Sequence, residues 1–330
     1  MKKIFALLLS AALLVTLLAA CGGGNTTDTD TDTQEPATDA STTQVEEQEP
    51  DTGDASKDDP LNQDEIGEKE LLVVSFGTSY NDSRRETIGA IEKAMQTAFP
   101  DYSVRRAFTS QIIIDHVKDR DGVTIDNVEQ ALERAVNNGV KTLVVQPTHL
   151  MNGLEYEELT DELAKYSDSF EKIAIGDPLL TSDADFEAVM AAITDATKDA
   201  ADGKTAICFM GHGTTADSNS VYSKMQTLLT DKGFNDYYVG TVEATPSLDD
   251  VLAAVQKGSY EKVILRPLMI VAGDHANNDM AGDEDDSWKS TFEKAGYTVD
   301  CQVEGLGQLE AIKQLFVEHA KAAVASAEAE

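Results

Sequence analysis

Cationic side chains are scarce in this 330-residue chain: 26 lysines and arginines face 60 aspartates and glutamates, for a formal net charge of −34. Such a surface repels a phosphate polymer, so nucleic acid is not an expected partner; the acidity favours cations and solubility and establishes no more than that. Cysteine is scarcer, at three residues. Cys208 and Cys301 sit in or beside apolar, strand-like runs and read as small buried hydrophobes, and no cysteine spacing suits a zinc cluster. Apolar runs long enough to approach a membrane-spanning length occur in one place only, Ile4 to Leu18.

That run follows Lys2 and Lys3 and has the length of a signal-peptide core, short for a spanning helix. It ends Leu18-Ala19-Ala20-Cys21, followed by three glycines. The pattern is similar to a bacterial lipoprotein signal, with residues 1–20 removed and Cys21 lipidated; an ordinary cleaved signal with an incidental cysteine is the alternative. The expectation is an exported protein, lipid-anchored on the extracytoplasmic face of the membrane. Residues 21–69 then lack apolar content. From Gly22 to Glu70 there are sixteen acidic residues against Lys57 and Lys69. A segment of that composition buries too little surface to offset its ordering entropy, so it is expected to be a disordered acidic tether.

The remainder is α/β in pattern. Apolar runs of strand length alternate with segments of helical period, with strands predicted at 71–76, 103–107, 142–146 and 172–175, then at 205–210, 236–240, 262–267 and 298–302. Continuous apolar strands joined by helices imply parallel sheets covered on both faces. The pattern is also repeated. Ser75-Phe76-Gly77-Thr78 resembles Met210-Gly211-His212-Gly213-Thr214, and Gln146-Pro147 through Gly153 resembles Arg266-Pro267 through Gly273 at an offset of 120. Two similar Rossmann-like domains are therefore expected, an N-terminal one over 70–202 and a C-terminal one over 203–330, with a ligand cleft between them at the carboxyl ends of their strands.

The five histidines divide by position. His116 and His319 fall in helices among charged residues and read as solvated. His212, flanked by glycines, and His275, after Ala272-Gly273-Asp274, each follow a predicted strand, as does Glu243 between them. Two imidazoles and a carboxylate at three strand ends suit a borderline divalent ion with positions left open; polar residues at strand ends are also common in α/β proteins without a metal. His149 follows a strand of the first half, at the position matching Met269 in the repeat. It either faces the cleft or is satisfied by local backbone.

The motifs Phe76-Gly77-Thr78-Ser79, Met210 to Thr214, Val242-Glu243 and above all Val271 to Trp288 resemble those of the anaerobic cobalt chelatases. These class II chelatases, related in fold to ferrochelatase, insert Co²⁺ into sirohydrochlorin. The resemblance spans about residues 70–325. It implies that His212, Glu243 and His275 bind the incoming metal and that His212 also accepts a proton from the macrocycle. The metal is then a co-substrate, Co²⁺ foremost with Ni²⁺ or Fe²⁺ as alternatives, and no organic cofactor is implied. Thr78, Ser79, Tyr80 and His149 are candidate tetrapyrrole contacts, Arg84 and Arg85 candidate partners for its carboxylates, and Asp274, Asp279, Asp283 and Glu284 candidate supports for the imidazoles. Because tetrapyrrole synthesis is cytoplasmic and this chain carries an export signal, a non-catalytic lipoprotein that collects metal, haem or a corrinoid precursor for transporter components is the competing reading.

Overall fold

The first half begins with β1 (Lys69–Ser75), whose residues from Glu70 to Ser75 are all buried, as a central strand requires. It continues through α1 (Asn81–Glu86), α2 (Ile88–Ala98), β2 (Ser103–Phe108), α3 (Gln111–Asp121), α4 (Val128–Asn137), β3 (Thr142–Pro147), α5 (Leu154–Ala164), β4 (Lys172–Ile175) and α6 (Asp183–Thr197). The second half comprises β5 (Thr205–Gly211), α7 (Ser220–Asp231), β6 (Tyr237–Thr241), α8 (Leu248–Val255), β7 (Lys262–Pro267), α9 (Trp288–Lys294), β8 (Thr298–Cys301) and α10 (Glu310–Ala329). This computed structural model describes residues 52–329, so the signal peptide, Cys21 and most of the tether lie outside the described residues.

Each half is a four-stranded, all-parallel sheet, ordered β2-β1-β3-β4 in the first and β6-β5-β7-β8 in the second. The shared order agrees with the sequence repeat. In each sheet the central strands are buried and mostly apolar, since helices cover both sides. Helix starts are set locally. Asn127 and Gln130, Ser182 and Asp185, and Ser247 and Asp250 form reciprocal capping boxes at α4, α6 and α8.

Two helices cross between the halves, and this shifts the expected boundaries of 70–202 and 203–330. α6 follows the first sheet but packs on the second half. The Thr197 hydroxyl meets Tyr237 OH at 2.9 Å, and Asp183 and Glu187 pair with Lys224 of α7 and with Lys232 just after it. In return α10, at the end of the second half, packs against β3 and β4, where Lys172 Nζ donates to the carbonyl of Ala327 at 2.9 Å. His319 of α10 is not the solvated residue expected. It meets Asp185 of α6 at 3.0 Å with both side chains about nine-tenths buried, so it joins the two exchanged helices. The exchange knits both halves into one unit.

Part of the segment expected to be a disordered tether is ordered. Residues 52–68 lie against the first half: Leu61 is buried, and Asp58 reaches Arg84 Nε at 2.6 Å and Arg106 Nη1 at 2.7 Å. Charge neutralisation of two fully buried guanidiniums orders this segment, a term that an apolar count does not register. Among the described residues no helix is long and apolar enough to cross a membrane.

Candidate functional site

A cleft of about 470 Å³ opens where the carboxyl ends of both sheets converge, a volume suited to a small-molecule ligand. Its second-half wall is built by three strand ends. β5 runs into Gly211-His212-Gly213. A β-carbon at Gly211 would lie 2.1 Å from the Tyr222 ring, and Gly213, at φ +91°, would meet Ala244 at 2.9 Å. Only glycine allows the chain to turn here and present His212 to the cleft. The β5–β6 ladder continues past the strands, with Val242 N–H donating to Gly211 O and Glu243 N–H to the His212 carbonyl at 2.9 Å. That pairing sets the carboxylate beside the imidazole, with Glu243 Oε2 3.9 Å from His212 Nδ1.

His275 arrives from β7 through a loop held across the cleft. Ala272 N–H donates to Ser83 Oγ of α1 at 2.9 Å, and a β-carbon at Gly273 would lie 3.0 Å from Thr78 Oγ1. A wide π-type turn over Ala276–Met280 follows, and α9 begins only at Trp288. The rings of His212 and His275 stand edge to face at 4.7 Å, and ligand atoms of His212, Glu243 and His275 all lie within 4.8 Å of one another. Donors about 2.1 Å from a shared ion are at most about 4.2 Å apart, so small side-chain shifts would close the set around one cation.

Hydrogen bonds select the ligating nitrogen. His212 Nδ1 is 2.8 Å from the carbonyl of Gly213, and His275 Nδ1 is 2.8 Å from Asp279 Oδ2. Both oxygens accept, so each Nδ1 carries the proton and each Nε2 keeps its lone pair for a metal. Of the four acids suggested as supports, Asp279 alone does this. Asp274 lines the cleft and accepts from Asn278, Asp283 pairs with Lys289 at the surface, and Glu284 is exposed.

The first-half wall is mostly apolar. Phe76 and Leu154 are exposed large hydrophobic side chains, and Ile113, Leu150 and Met151 line the cleft with them. Exposed apolar surface gathered in a concavity marks a ligand face. Thr78, Ser79 and His149 line it as expected. Tyr80 does not: it immediately precedes α1 and is buried, which holds its phenol pKa above the ordinary value. Neither arginine is available for substrate carboxylates. Arg84 is fully buried on Asp58, Asn81 and the Thr78 carbonyl, while Arg85 pairs with Asp82 and Glu86. His149 is buried, and local backbone does not satisfy its ring, because neither nitrogen has a partner within the protein.

Glu155 was not singled out from the sequence, yet it lines the cleft. Shielding raises its carboxyl pKa, opposed by the nearby His212. A signal was present, since the 120-residue repeat places Glu155 opposite His275 in the second half.

Two parallel α/β sheets meeting at a cleft, with a His–Glu–His set on one wall, define a metal-handling protein of the class II chelatase fold. The solved structure of SirB from Bacillus subtilis with Fe³⁺ has this fold, at TM-score 0.56 and 15% identity over 80% of this chain and 98% of that one. The chain belongs to the cobalt chelatase (CbiK) family, whose pattern matches residues 69–325. It is 38% identical to the sirohydrochlorin cobaltochelatase of Salmonella typhimurium over 76% of this chain and 94% of the relative. The sirohydrochlorin cobaltochelatase CbiKC of Nitratidesulfovibrio vulgaris is 30% identical over 78% and 91%.

Proposed function

We propose that this protein inserts a divalent metal, Co²⁺ foremost, into sirohydrochlorin or a closely related tetrapyrrole. The observation that carries the reading is the His212, Glu243 and His275 cluster facing an apolar wall across one cleft. The family supports it, since two relatives matched over more than nine-tenths of their length are sirohydrochlorin cobaltochelatases.

Insertion exchanges two pyrrole N–H protons for a dication. The three side chains present the metal with open positions toward the macrocycle, which lies against Phe76 and Leu154. As two metal–nitrogen bonds to the tetrapyrrole form, His212 Nε2 releases the ion, and the freed lone pair accepts one pyrrole proton; the second proton leaves to solvent. Glu243 offsets the charge on the ion while it is held.

The test is absorbance of sirohydrochlorin with Co²⁺ and purified protein. Wild type should give the metallated spectrum, and His212→Ala should lose at least about 100-fold in rate, the range expected for a proton acceptor that is also a ligand. A wild type that binds both components and metallates nothing, with any divalent ion, sinks the chelatase reading in favour of a carrier protein that delivers its cargo to a transporter.

The reading extends to location. A lipid on Cys21 would hold the domain on the extracytoplasmic face at the end of the acidic segment. Cys21→Ser should move the protein from the membrane fraction to the soluble one; unchanged membrane retention would refute the anchor.

A further inference from the structure

His149 follows β3 and lines the same cleft as His212, Glu243 and His275, but from the first half. Its side chain is 7% exposed, and neither Nδ1 nor Nε2 has a hydrogen-bond partner within the protein. Its immediate chain neighbourhood is paired: the Thr148 hydroxyl meets that of Ser75 at 2.7 Å, and the His149 carbonyl accepts from Leu179 N–H at 2.9 Å. An imidazole carries one N–H donor and one lone pair, and burying both unpaired is destabilising. Nor does the fold require it. The repeat places Met269 at the equivalent position of the second half, where a flexible apolar side chain serves.

A costly, unsatisfied polar ring on a cleft wall, with both nitrogens closed to solvent, gains its partner when the ligand draws the ring toward the cleft. We propose that His149 is a substrate-binding residue whose ring hydrogen-bonds the tetrapyrrole from the half that does not hold the metal. The inference rests on the tetrapyrrole reading above. Burial lowers the imidazole pKa to about 4, so the ring is neutral near pH 7. A neutral ring adds no repulsion against the incoming dication and offers a donor and an acceptor at once. The inner edge of a tetrapyrrole presents both N–H groups and bare nitrogens, and the one ring nitrogen that reaches it can pair with either, according to tautomer.

The experiment uses detergent-solubilised full-length protein and metal-free sirohydrochlorin, with binding followed by absorbance. His149→Leu should weaken the tetrapyrrole Kd by about 10-fold, as expected for a lost buried hydrogen bond, and His149→Gln, which keeps a donor and an acceptor, should recover most of it. Titration with Co²⁺ alone should be unchanged in both variants, because His149 is not in the His–Glu–His set. The ligand-free melting midpoint of His149→Leu should rise by about 2 °C, since the unpaired polar group is gone. A purely structural histidine predicts the reverse, a lower midpoint with any loss of binding. The proposal is overturned if wild type and His149→Leu bind sirohydrochlorin equally, or if the Leu variant melts lower. A wild type that binds no tetrapyrrole overturns the functional reading as well, and so separates that failure from this one.

Discussion

The two halves share one strand order and place their charges in opposite ways. In the first, Glu70 on β1 and Arg105 and Arg106 on β2 are fully buried inside the sheet. The corresponding strands of the second half, β5 and β6, contain no ionisable acid or base other than Cys208 and two tyrosines. At the strand ends of the second half His212, Glu243 and His275 reach the cleft, and the buried cation of that sheet, Arg266 on β7, pairs with Glu304. One sheet uses charge to hold its own shape and the other displays it to a ligand. Internal pairing also keeps Asp58 and Glu92 from competing for a cation, since both are committed to Arg106.

If that division is right, the largest effect on stability should come from the first half. Arg106→Met leaves the buried Glu92 without its cation and Asp58 with Arg84 alone, and breaking a buried pair from one side costs about 3–5 kcal/mol. Urea unfolding should show a loss of that size, and a loss under about 1 kcal/mol would mean that the network is solvated and the contrast between the halves is overstated. The variant should also loosen residues 52–61, which Asp58 holds to the domain.

Glu70 gives the same idea a pH signature. Burial raises its pKa from 4.5 to about 7, with the Arg105 charge opposing, and neither carboxylate oxygen has a partner within the protein. Between pH 4.5 and 7 the folded state therefore holds a proton that the unfolded state has released. Stability from this group is complete below about pH 4.5 and is lost as pH rises through 7, by up to roughly 3 kcal/mol. Glu70→Gln should remove that slope. The difference in unfolding free energy between wild type and variant should thus change in the variant's favour from pH 4.5 to pH 8; a constant difference would show Glu70 ionised in both states.

The same contrast explains what could be read from sequence. Strands were legible because both faces are covered, so 172–175 and 262–267 were placed to the residue and the others within two. The cluster was legible because glycines and strand ends flag His212, Glu243 and His275, and family motifs carried the rest. The exchange of α6 and α10 was not, because a helical period shows that a face is buried without showing which sheet covers it. Arg84 looked like a partner for substrate carboxylates, and residues 52–68 looked disordered, for one shared reason. Each is ordered by a charge whose partner lies far along the chain, and local composition carries no record of that. Tyr80 and His149 were assigned by adjacency to strand ends, which located the second in the cleft and misplaced the first.

The second half offers the smallest energetic effect and the sharpest contrast. Asp279 accepts from His275 Nδ1 at 2.8 Å, and both side chains are partly open to solvent. Asp279→Asn removes the anionic acceptor that fixes the ring's tautomer while leaving its volume. Losing such a partner typically weakens metal affinity about 10–100-fold, or about 1.4–2.7 kcal/mol. No buried charge is stranded, so the melting midpoint should hold within about 1 °C. Cobalt titration and thermal melting on one preparation read both quantities. Weaker binding with an unchanged midpoint separates display of charge from structural use of it. A variant that melted several degrees lower would place Asp279 in the same class as Asp58 and Glu92, and the two halves would no longer differ in kind.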